Sequence, residues 1–349
     1  MSHEPTYPPE LARYSRQMLF APIGIAGQRR LKQASVTLVG CGALGGALAN
    51  LLVRAGVGAL RIVDRDFIEL NNLQRQTLFD EHDIAQNLPK AEAAARKLRK
   101  INSAVEIEGI VGDVNPGNIV AHCGDADLLL DGTDNLETRY LVNDFAVQQS
   151  IPWVFGACLA AEGLVLPILP HQGPCLRCVW EEPPPPGATP TCNTVGILAA
   201  TVNVVASLAA TEAMKILTGH ERDLNLRLLA IDVWAGRMRA VNVQSAFDAG
   251  NCPCCKQGRY DFLTGDTAAT TTLGGRDAVQ IPAGGDVQIS FKAIAARLPA
   301  QAHAKFNEFM LRFNVESYSV TLFADGRAII QGTSDPTVAR GVYAKYVGM

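Results

Sequence analysis

A glycine-rich turn between a strand-like and a helix-like segment constrains this sequence more than any other feature. The run Ser35–Val39 is apolar and β-branched, as in a buried strand, and Ala47–Ala55 has helix-forming composition. Between them, Gly40, Gly42 and Gly45 follow a G-x-G-x-x-G pattern. Glycines let the backbone approach phosphate oxygens, and the helix N-terminus attracts their negative charge. The sequence therefore predicts a nucleotide-binding unit here.

The segments that follow alternate between short apolar runs and helix formers. A second strand ends at Asp64, nineteen residues after Gly45, and Lys90–Ile101 and Leu136–Gln149 read as helices on either side of the strand Asp127–Asp131. Such alternation indicates a parallel sheet covered on both faces. We therefore predict an α/β, Rossmann-like, doubly wound and mostly parallel sheet. The acid at Asp64 is placed to hold ribose hydroxyls.

The composition of the chain changes towards its C-terminal end. A small-residue linker over 263–278 separates a domain over 1–262 from an appendage over 279–349. In the appendage, two alternating strands meet at Asp325 and Gly326, which is a strong hairpin signal. We therefore predict a small α+β C-terminal domain.

Two CxxC motifs predict a metal site. Cys175 and Cys178 form the first, and Cys252 and Cys255 form the second. Four thiolates in a tetrahedral arrangement make a closed structural zinc site, which would join two distant segments. Cys254 leaves a second ligand register open, in which it replaces Cys255.

The remaining cysteines divide into two groups. Cys192 comes after a proline-rich loop and before an apolar helix predicted over Val195–Leu217, and a helix N-terminus favours a thiolate. It is therefore a candidate nucleophile. Cys41, Cys123 and Cys158 are interpreted as small buried residues.

Charged residues near the predicted strand ends suggest which nucleotide binds. Two cations, Arg75 and Lys90, and the carboxylate of Asp134 suit a triphosphate with magnesium, because cations offset phosphate charge and Mg²⁺ prefers oxygen ligands. The glycine turn alone would fit a nicotinamide cofactor equally well. These three side chains would have no function in a nicotinamide-dependent oxidoreductase, so that class is the weaker alternative.

Charge and patterning exclude several classes of partner. With 31 basic and 34 acidic residues the net charge is −3, which does not suggest nucleic acid. The apolar stretch Val195–Leu217 carries Asn203, Ser207 and Thr211 on one stripe, so we interpret it as a buried or interface helix with no membrane partner. The first ten residues lack a secretory pattern, and we expect a cytoplasmic protein.

Taken together, these motifs resemble the family of adenylyltransferases that activate ubiquitin-like sulfur carriers, a family related to ubiquitin-activating enzymes. The resemblance runs from about residue 11 to residue 258. The matching motifs are Arg13 to Gln17, the glycine turn, Asp64 to Asp66, Asn72 to Gln76, Lys90, Thr133 to Asn135, both CxxC pairs and Cys192.

The resemblance implies specific roles for these residues. The residues expected to bind ATP are Gly40, Gly42, Ala43, Leu44, Gly45, Asp64, Asp66, Asn72, Arg75, Gln76, Lys90, Asp134 and Asn135. Those expected to act in catalysis are Arg16, Arg75, Lys90, Asp134 and Cys192, with Asp134 as the magnesium ligand. Arg16 resembles an arginine that reaches into a neighbouring subunit, which implies a homodimer.

The implied reaction is adenylation of a carrier's C-terminal glycine by ATP, in preparation for thiocarboxylation. The molybdopterin-synthase carrier is our first candidate and the thiamine-thiazole carrier is the alternative. A third interpretation is a scaffold protein that binds such a carrier without catalysing a reaction. The last cysteine is Cys255, so the appendage contains no thiol and a separate protein must donate sulfur.

Overall fold

The chain divides into two units by its internal contacts. The first comprises Met1–Pro183 and Val195–Gly265, and the second Pro184–Thr194 and Asp266–Met349. The structure, a computed structural model, describes residues 7–184, 190–264, 271–272, 277–281 and 289–348. Most of the predicted linker 263–278 lies outside the described residues, so the predicted domain boundaries stay a prediction.

An eight-stranded sheet forms the centre of the first unit. Its strands are β1 Ser35–Val39, β2 Ala59–Asp64, β3 Glu106–Val111, β4 Leu128–Asp131, β5 Trp153–Leu159, β6 Glu162–Ile168, β7 Leu228–Asp232 and β8 Arg237–Val241. Their order is β3-β2-β1-β4-β5-β6-β7-β8. The strands from β3 to β5 in this order are parallel, whereas β6, β7 and β8 pair antiparallel. The predicted Rossmann-like, mostly parallel sheet is confirmed.

Helices cover both faces of this sheet. The α-helices are α1 Ser15–Met18, α2 Gly24–Gln33, α3 Ala43–Ala55, α4 Glu81–Ala85, α5 Lys90–Ile101, α6 Ile119–Cys123, α7 Leu136–Gln149, α8 Leu176–Val179, α9 Cys192–Val195, α10 Ala199–Thr218 and α11 Gln244–Asp248. One buried apolar cluster joins the sheet to α3, α5 and α10, and a second joins it to α7. The helices α5 and α7 span the residues predicted for them.

Local chemistry explains where the two predicted helices begin. Pro89 precedes α5, where its fixed φ suits the entry to a helix, and the Lys90 N–H donates to the Asp66 carbonyl. The side chain of Asn135 accepts a hydrogen bond from the Thr138 N–H and so caps α7.

The apolar helix α10 starts later than predicted. Gly196 adopts φ of +79°, and Ile197 pairs with Ala160 in the turn after β5, so the chain is extended before Ala199. Among the described residues, α10 is the one helix long and apolar enough to cross a membrane, and half of its apolar window is buried inside the protein.

The predicted polar stripe of α10 is confirmed. Asn203, Ser207 and Thr211 are exposed, and each side chain donates a hydrogen bond to the carbonyl four residues earlier. The helix packs against α3 and strands β5 and β6. It is a core helix of the first unit with one polar face.

In the residues that the structure describes, the second unit contains an antiparallel sheet, two further helices and most of the short helix α9. Its strands are β9 Thr271–Thr272, β10 Ala278–Ile281, β11 Lys305–Phe306, β12 Met310–Val315, β13 Tyr318–Phe323 and β14 Ala328–Gln331, and its helices are α12 Phe291–Arg297 and α13 Pro336–Tyr346. The order is β11-β12-β13-β14-β10-β9. The predicted hairpin at Asp325 and Gly326 joins β13 to β14, and α12 and α13 contribute to the apolar core.

Three glycines bring the loops after β1 and β4 into backbone contact. Gly40 has φ of +87°, a conformation that favours glycine. A Cβ atom on Gly45 would lie 2.0 Å from the Gly40 carbonyl oxygen, and one on Gly132 would lie 2.2 Å from the same atom. Side chains at these positions would force the two loops apart.

We expect Gly132→Ala to destabilise the first unit, by about 1–3 kcal/mol if it behaves as other overpacked sites do. The control is Gly341→Ala in α13, where a Cβ would meet no atom within 4 Å. Alanine there should leave stability unchanged or raise it by up to about 1 kcal/mol. Denaturant unfolding of both variants measures the difference, and equal effects would contradict the contact.

Candidate active site

The residues that were predicted to bind a nucleotide lie together at the carboxyl edge of the sheet. Strand β1 pairs in parallel with both β2 and β4, so all three strands end at one edge. The glycine turn follows β1, Asp64 ends β2, and the loop from Gly132 to Asn135 follows β4. Ligands of open α/β sheets bind where neighbouring strands connect in opposite directions, which here is between β1 and β4.

The Asp64 carboxylate ties β2 to the glycine turn. One oxygen accepts a hydrogen bond from the Cys41 N–H at 2.6 Å, and the other accepts one from the Asp66 N–H at 2.7 Å. Burial raises the pKa of Asp64, while the Lys90 ammonium and the two N–H donors oppose that shift. The acid predicted to face the ribose therefore also holds the turn in place.

Lys90 is part of this site and is not a solvated surface residue. It is only 3% exposed, and its Nζ lies 3.0 Å from the Asp66 carboxylate. Its backbone N–H also donates to the Asp66 carbonyl at 2.8 Å. A buried ammonium requires a nearby negative charge, which Asp66 supplies here and which a phosphate could also supply.

The segment from Asn72 to Gln76 brings polar groups to the glycine turn. Asn72 is buried and accepts a hydrogen bond from the Glu69 N–H, while the half-buried Arg75 donates to the Asn71 carbonyl at 2.8 Å. Gln76 lies beside the glycine turn, because a Cβ on Gly42 would be 3.8 Å from its Nε2.

The buried Oε1 of Gln76 has no hydrogen-bond partner among the described residues. Such groups are rare in folded proteins, because an unpaired buried acceptor loses its bonds to water. Its position next to the turn fits a polar ligand.

Asp134 is exposed between two residues that the fold holds in place. Asn135, predicted as an ATP contact, caps α7, and its own N–H donates to the Thr133 hydroxyl at 3.0 Å. A carboxylate at this position could hold a divalent cation.

Arg16 lies at the opposite edge of the sheet. It is exposed in α1, next to Gln17, whose side chain donates to the Ala55 carbonyl at 2.9 Å. Ala55 ends α3 just before β2 begins, so this contact is at the amino edge. The five residues of β1 span about 16 Å between the two edges.

Cys192 opens the short helix α9 and is half-buried. The apolar helix α10 begins only at Ala199, so Cys192 lies at the N-terminus of α9 and precedes α10 by a short connection. By internal contacts, Cys192 belongs to the second unit.

Cys41 and Cys123 are fully buried, which confirms their interpretation as small core residues. Burial raises the pKa of Cys123 to about 12 and that of Cys41 further, so both stay thiols at neutral pH. The same prediction for Cys158 is wrong, because it is half-buried. It lies near the end of β5, where the chain turns into β6.

The four cysteines of the CxxC motifs converge. Their Sγ atoms all lie within 4.8 Å of one another, with Cys175 to Cys252 at 3.6 Å and Cys178 to Cys255 at 3.4 Å. A tetrahedral site with Zn–S bonds near 2.3 Å requires S···S distances of about 3.8 Å. The four thiols could therefore hold one metal ion.

Cys254 lies next to this group and contacts helix α7. Its Sγ accepts a hydrogen bond from the Asn143 side chain at 3.4 Å, and the Asn143 carbonyl oxygen accepts one from the Leu176 N–H at 2.8 Å. The group of four thiols that lie within 4.8 Å of one another contains Cys255 and not Cys254, which favours the register with Cys255.

A buried ion pair fastens both cysteine segments to α7. Arg177, inside the first CxxC, donates to Asp144 at 3.1 Å and to Asp261 at 2.9 Å. The Phe262 N–H also donates to Asp144 at 3.2 Å. Burial raises the pKa of Asp144, and Arg177 opposes this shift. No sequence pattern predicts this pair, because its one signal is an arginine between the two cysteines of a CxxC motif.

We expect Arg177→Met to destabilise the protein strongly, by about 3–5 kcal/mol, because it leaves the buried Asp144 uncompensated. The matched control is Arg237→Met, which removes an exposed ion pair with Asp232. Exposed pairs contribute about 0–1 kcal/mol. Denaturant unfolding measures both, and a small loss for Arg177→Met would contradict the structural role of the pair.

Comparison with known proteins identifies the class of the chain. Residues 14–254 match the ThiF family, and the chain belongs to it. This confirms the resemblance indicated by the motifs.

Particular relatives extend the similarity beyond the family segment. The chain is 42% identical over 339 residues to the sulfur carrier protein ThiS adenylyltransferase of Bacillus subtilis, covering 96% of this chain and 99% of that one. It is 40% identical over 251 residues to a sulfur carrier protein adenylyltransferase of Thermus thermophilus, covering 70% of this chain and 91% of that one.

A further relative matches a smaller part of the chain. The adenylyltransferase and sulfurtransferase MOCS3-2 of Zea mays is 40% identical over 244 residues, which are 70% of this chain. The chain spans about half of the length of that relative, 49%.

Solved structures share the fold. E. coli MccB aligns with a TM-score of 0.60 at 24% identity, over 72% of this chain and 74% of that one. PaaA aligns with a TM-score of 0.58 at 20% identity, over 70% and 86%.

Proposed function

We propose that this protein is an ATP-dependent adenylyltransferase that activates the C-terminal glycine of a ubiquitin-like sulfur carrier. The observation that carries the proposal is the cluster of a buried ammonium, an unpartnered buried amide oxygen and a glycine turn at one crevice of a ThiF family chain. An oxidoreductase would have no use for the buried charge of Lys90.

Of the two carriers, the comparisons favour the thiamine-thiazole type. The relative named for ThiS matches 96% of this chain, so the similarity includes both units. Sequence analysis placed the molybdopterin-synthase carrier first. That carrier becomes the second candidate, supported by 40% identity to MOCS3-2 over 70% of this chain.

The residues of the crevice fit a magnesium-bound triphosphate. The turn from Gly40 to Gly45 offers backbone close to the phosphates, and Lys90 and Arg75 would offset their charge. Asp134 would hold Mg²⁺, which screens the negative charge that repels an incoming carboxylate. These roles remain part of the proposal.

The reaction is the attack of the carrier's terminal carboxylate on the α-phosphorus of ATP, with pyrophosphate as leaving group. Positioning and charge neutralisation suffice for such a displacement, and no general base is required. A sulfur nucleophile of a separate donor protein then attacks the acyl carbon of the adenylate, so that an acyl–sulfur bond forms and AMP leaves. Cys192 is a candidate for a covalent link in that step.

We further propose a homodimer in which Arg16 completes the site of the neighbouring subunit. Its place at the amino edge puts it out of reach of its own crevice, so a role at a crevice requires a second copy. Leu19 and Phe20, which follow Arg16 closely, are 54% and 61% exposed. A second copy would cover these apolar side chains.

We propose that the metal bound by the four cysteines is Zn²⁺. We also propose that the protein is cytoplasmic.

Exchange of labelled pyrophosphate into ATP, dependent on a carrier ending in Gly-Gly, tests the activity. We expect exchange with the thiazole-type carrier and loss of about 10²–10³-fold in Asp134→Asn, as for removal of another group that stabilises transition-state charge. The matched control is Asp248→Asn, an equally exposed aspartate in α11. Absence of exchange with either type of carrier, or full exchange in Asp134→Asn, would contradict the proposal.

The zinc proposal predicts a difference between adjacent cysteines. Cys255→Ala should lose the metal and melt at lower temperature, because metal binding contributes folding free energy. Cys254→Ala should retain one zinc per chain. Metal analysis with thermal unfolding measures both, and the reverse result would assign the site to the other register.

A further inference from the structure

The loop that carries Asp134 needs a fixed shape, because a metal ligand on a mobile loop must lose conformational entropy on binding. The loop joins β4 to α7 and contains only Gly132 to Asn135. Asp134 itself is exposed. Its orientation therefore depends on the groups that hold its neighbours.

One buried side chain contacts both the loop and the strands beside it. Arg139, in the first turn of α7, is 9% exposed. Its guanidinium donates to the Asp131 carboxylate at 2.8 Å, to the Thr133 carbonyl at 2.7 Å and to the Gly156 carbonyl at 2.9 Å. It also lies 5.2 Å from the centre of the Phe155 ring.

The partners of Arg139 fix the loop from within. The second oxygen of Asp131 accepts a hydrogen bond from the Thr133 N–H at 2.9 Å. The Thr133 hydroxyl accepts one from the Asn135 N–H at 3.0 Å, and Asn135 caps α7. Arg139 thus holds the peptide group before Asp134 directly, through the Thr133 carbonyl. It holds the peptide group after Asp134 indirectly, because the Asn135 N–H is bonded to Thr133.

We propose that Arg139 is a positioning residue for Asp134 in magnesium-dependent adenylation. It does not touch the reacting atoms, because it is buried beneath the loop. Only a planar guanidinium can donate to a carboxylate and two carbonyls in different directions while lying against an aromatic ring. This inference rests on the proposed function, in which Asp134 holds Mg²⁺.

The test measures carrier-dependent pyrophosphate exchange over a range of Mg²⁺ concentrations. In Arg139→Lys, the half-saturating Mg²⁺ concentration should rise about tenfold or more, as for other groups that orient a metal ligand. Saturating Mg²⁺ should restore a large part of the rate. A merely structural role would lower the amount of active protein without moving the half-saturating concentration.

Arg177→Lys is the matched control, because it alters a buried arginine in α8 whose partner Asp144 lies on α7, and this pair does not hold the Asp134 loop. It should leave the Mg²⁺ dependence unchanged even if stability falls. If Arg139→Lys fails to fold, Thr133→Val decides the matter. It removes the acceptor for the Asn135 N–H at nearly constant volume and should also raise the half-saturating Mg²⁺ concentration.

The outcomes separate the two proposals. Exchange that depends on Asp134, with an unchanged Mg²⁺ dependence in the folded Arg139 or Thr133 variant, overturns the positioning role alone. Absence of exchange in the unaltered protein with both carriers overturns the proposed function, and the positioning role with it.

Discussion

Backbone contact among glycines sets the geometry on which the candidate site depends. Gly40 and Gly45 in the turn after β1 meet Gly132 after β4 so closely that no side chain fits between them. The contact lies at the point where the sheet extends in two directions from β1. The contact brings two loops to one crevice. The glycine turn after β1 offers backbone N–H donors, and the loop after β4 offers the carboxylate of Asp134. Asp64 then fixes the turn against β2.

Helix α7 connects this crevice to the cysteine group. Its first turn carries Arg139 and follows Asn135, next to the carboxylate of Asp134. Two turns later, Asn143 and Asp144 hold the segments that bear the CxxC motifs. A metal centre at the cysteines would therefore stabilise the same helix that presents the proposed magnesium ligand. The burial of each charge in a pair favours one position of the helix over alternatives.

Much of the fold followed from local sequence patterns. Lys90–Ile101 is alanine-rich and begins after a proline, and Leu136–Gln149 begins after an asparagine cap, so both helices were predicted with their observed bounds. The strand β12, over Met310–Val315, was missed although its residues alternate between apolar and polar from Leu311 onwards. The start of α10 was placed too early, since pairing of Ile197 with Ala160 is a tertiary contact that no local pattern shows.

The candidate site was predicted in residue type but not in its internal pairing. Motif spacing singled out Lys90 and Asp66, yet not that they form a buried ion pair with each other. Arg177 and Asp144 also pair, across 33 residues of sequence, and no motif singled out either of them. The position of Arg16 at the amino edge could not be predicted either, because it depends on how Gln17 docks against α3. Sequence patterns specify which groups are present, whereas partners distant in sequence depend on the packed fold.

A crystal structure of the protein with magnesium and a non-hydrolysable ATP analogue would test the central claim most directly. The account predicts the triphosphate over the glycine turn, with Lys90 and Arg75 within hydrogen-bond distance of phosphate oxygens and a magnesium ion bound to Asp134. A nucleotide bound at that turn with all three side chains directed away from its phosphates would contradict it.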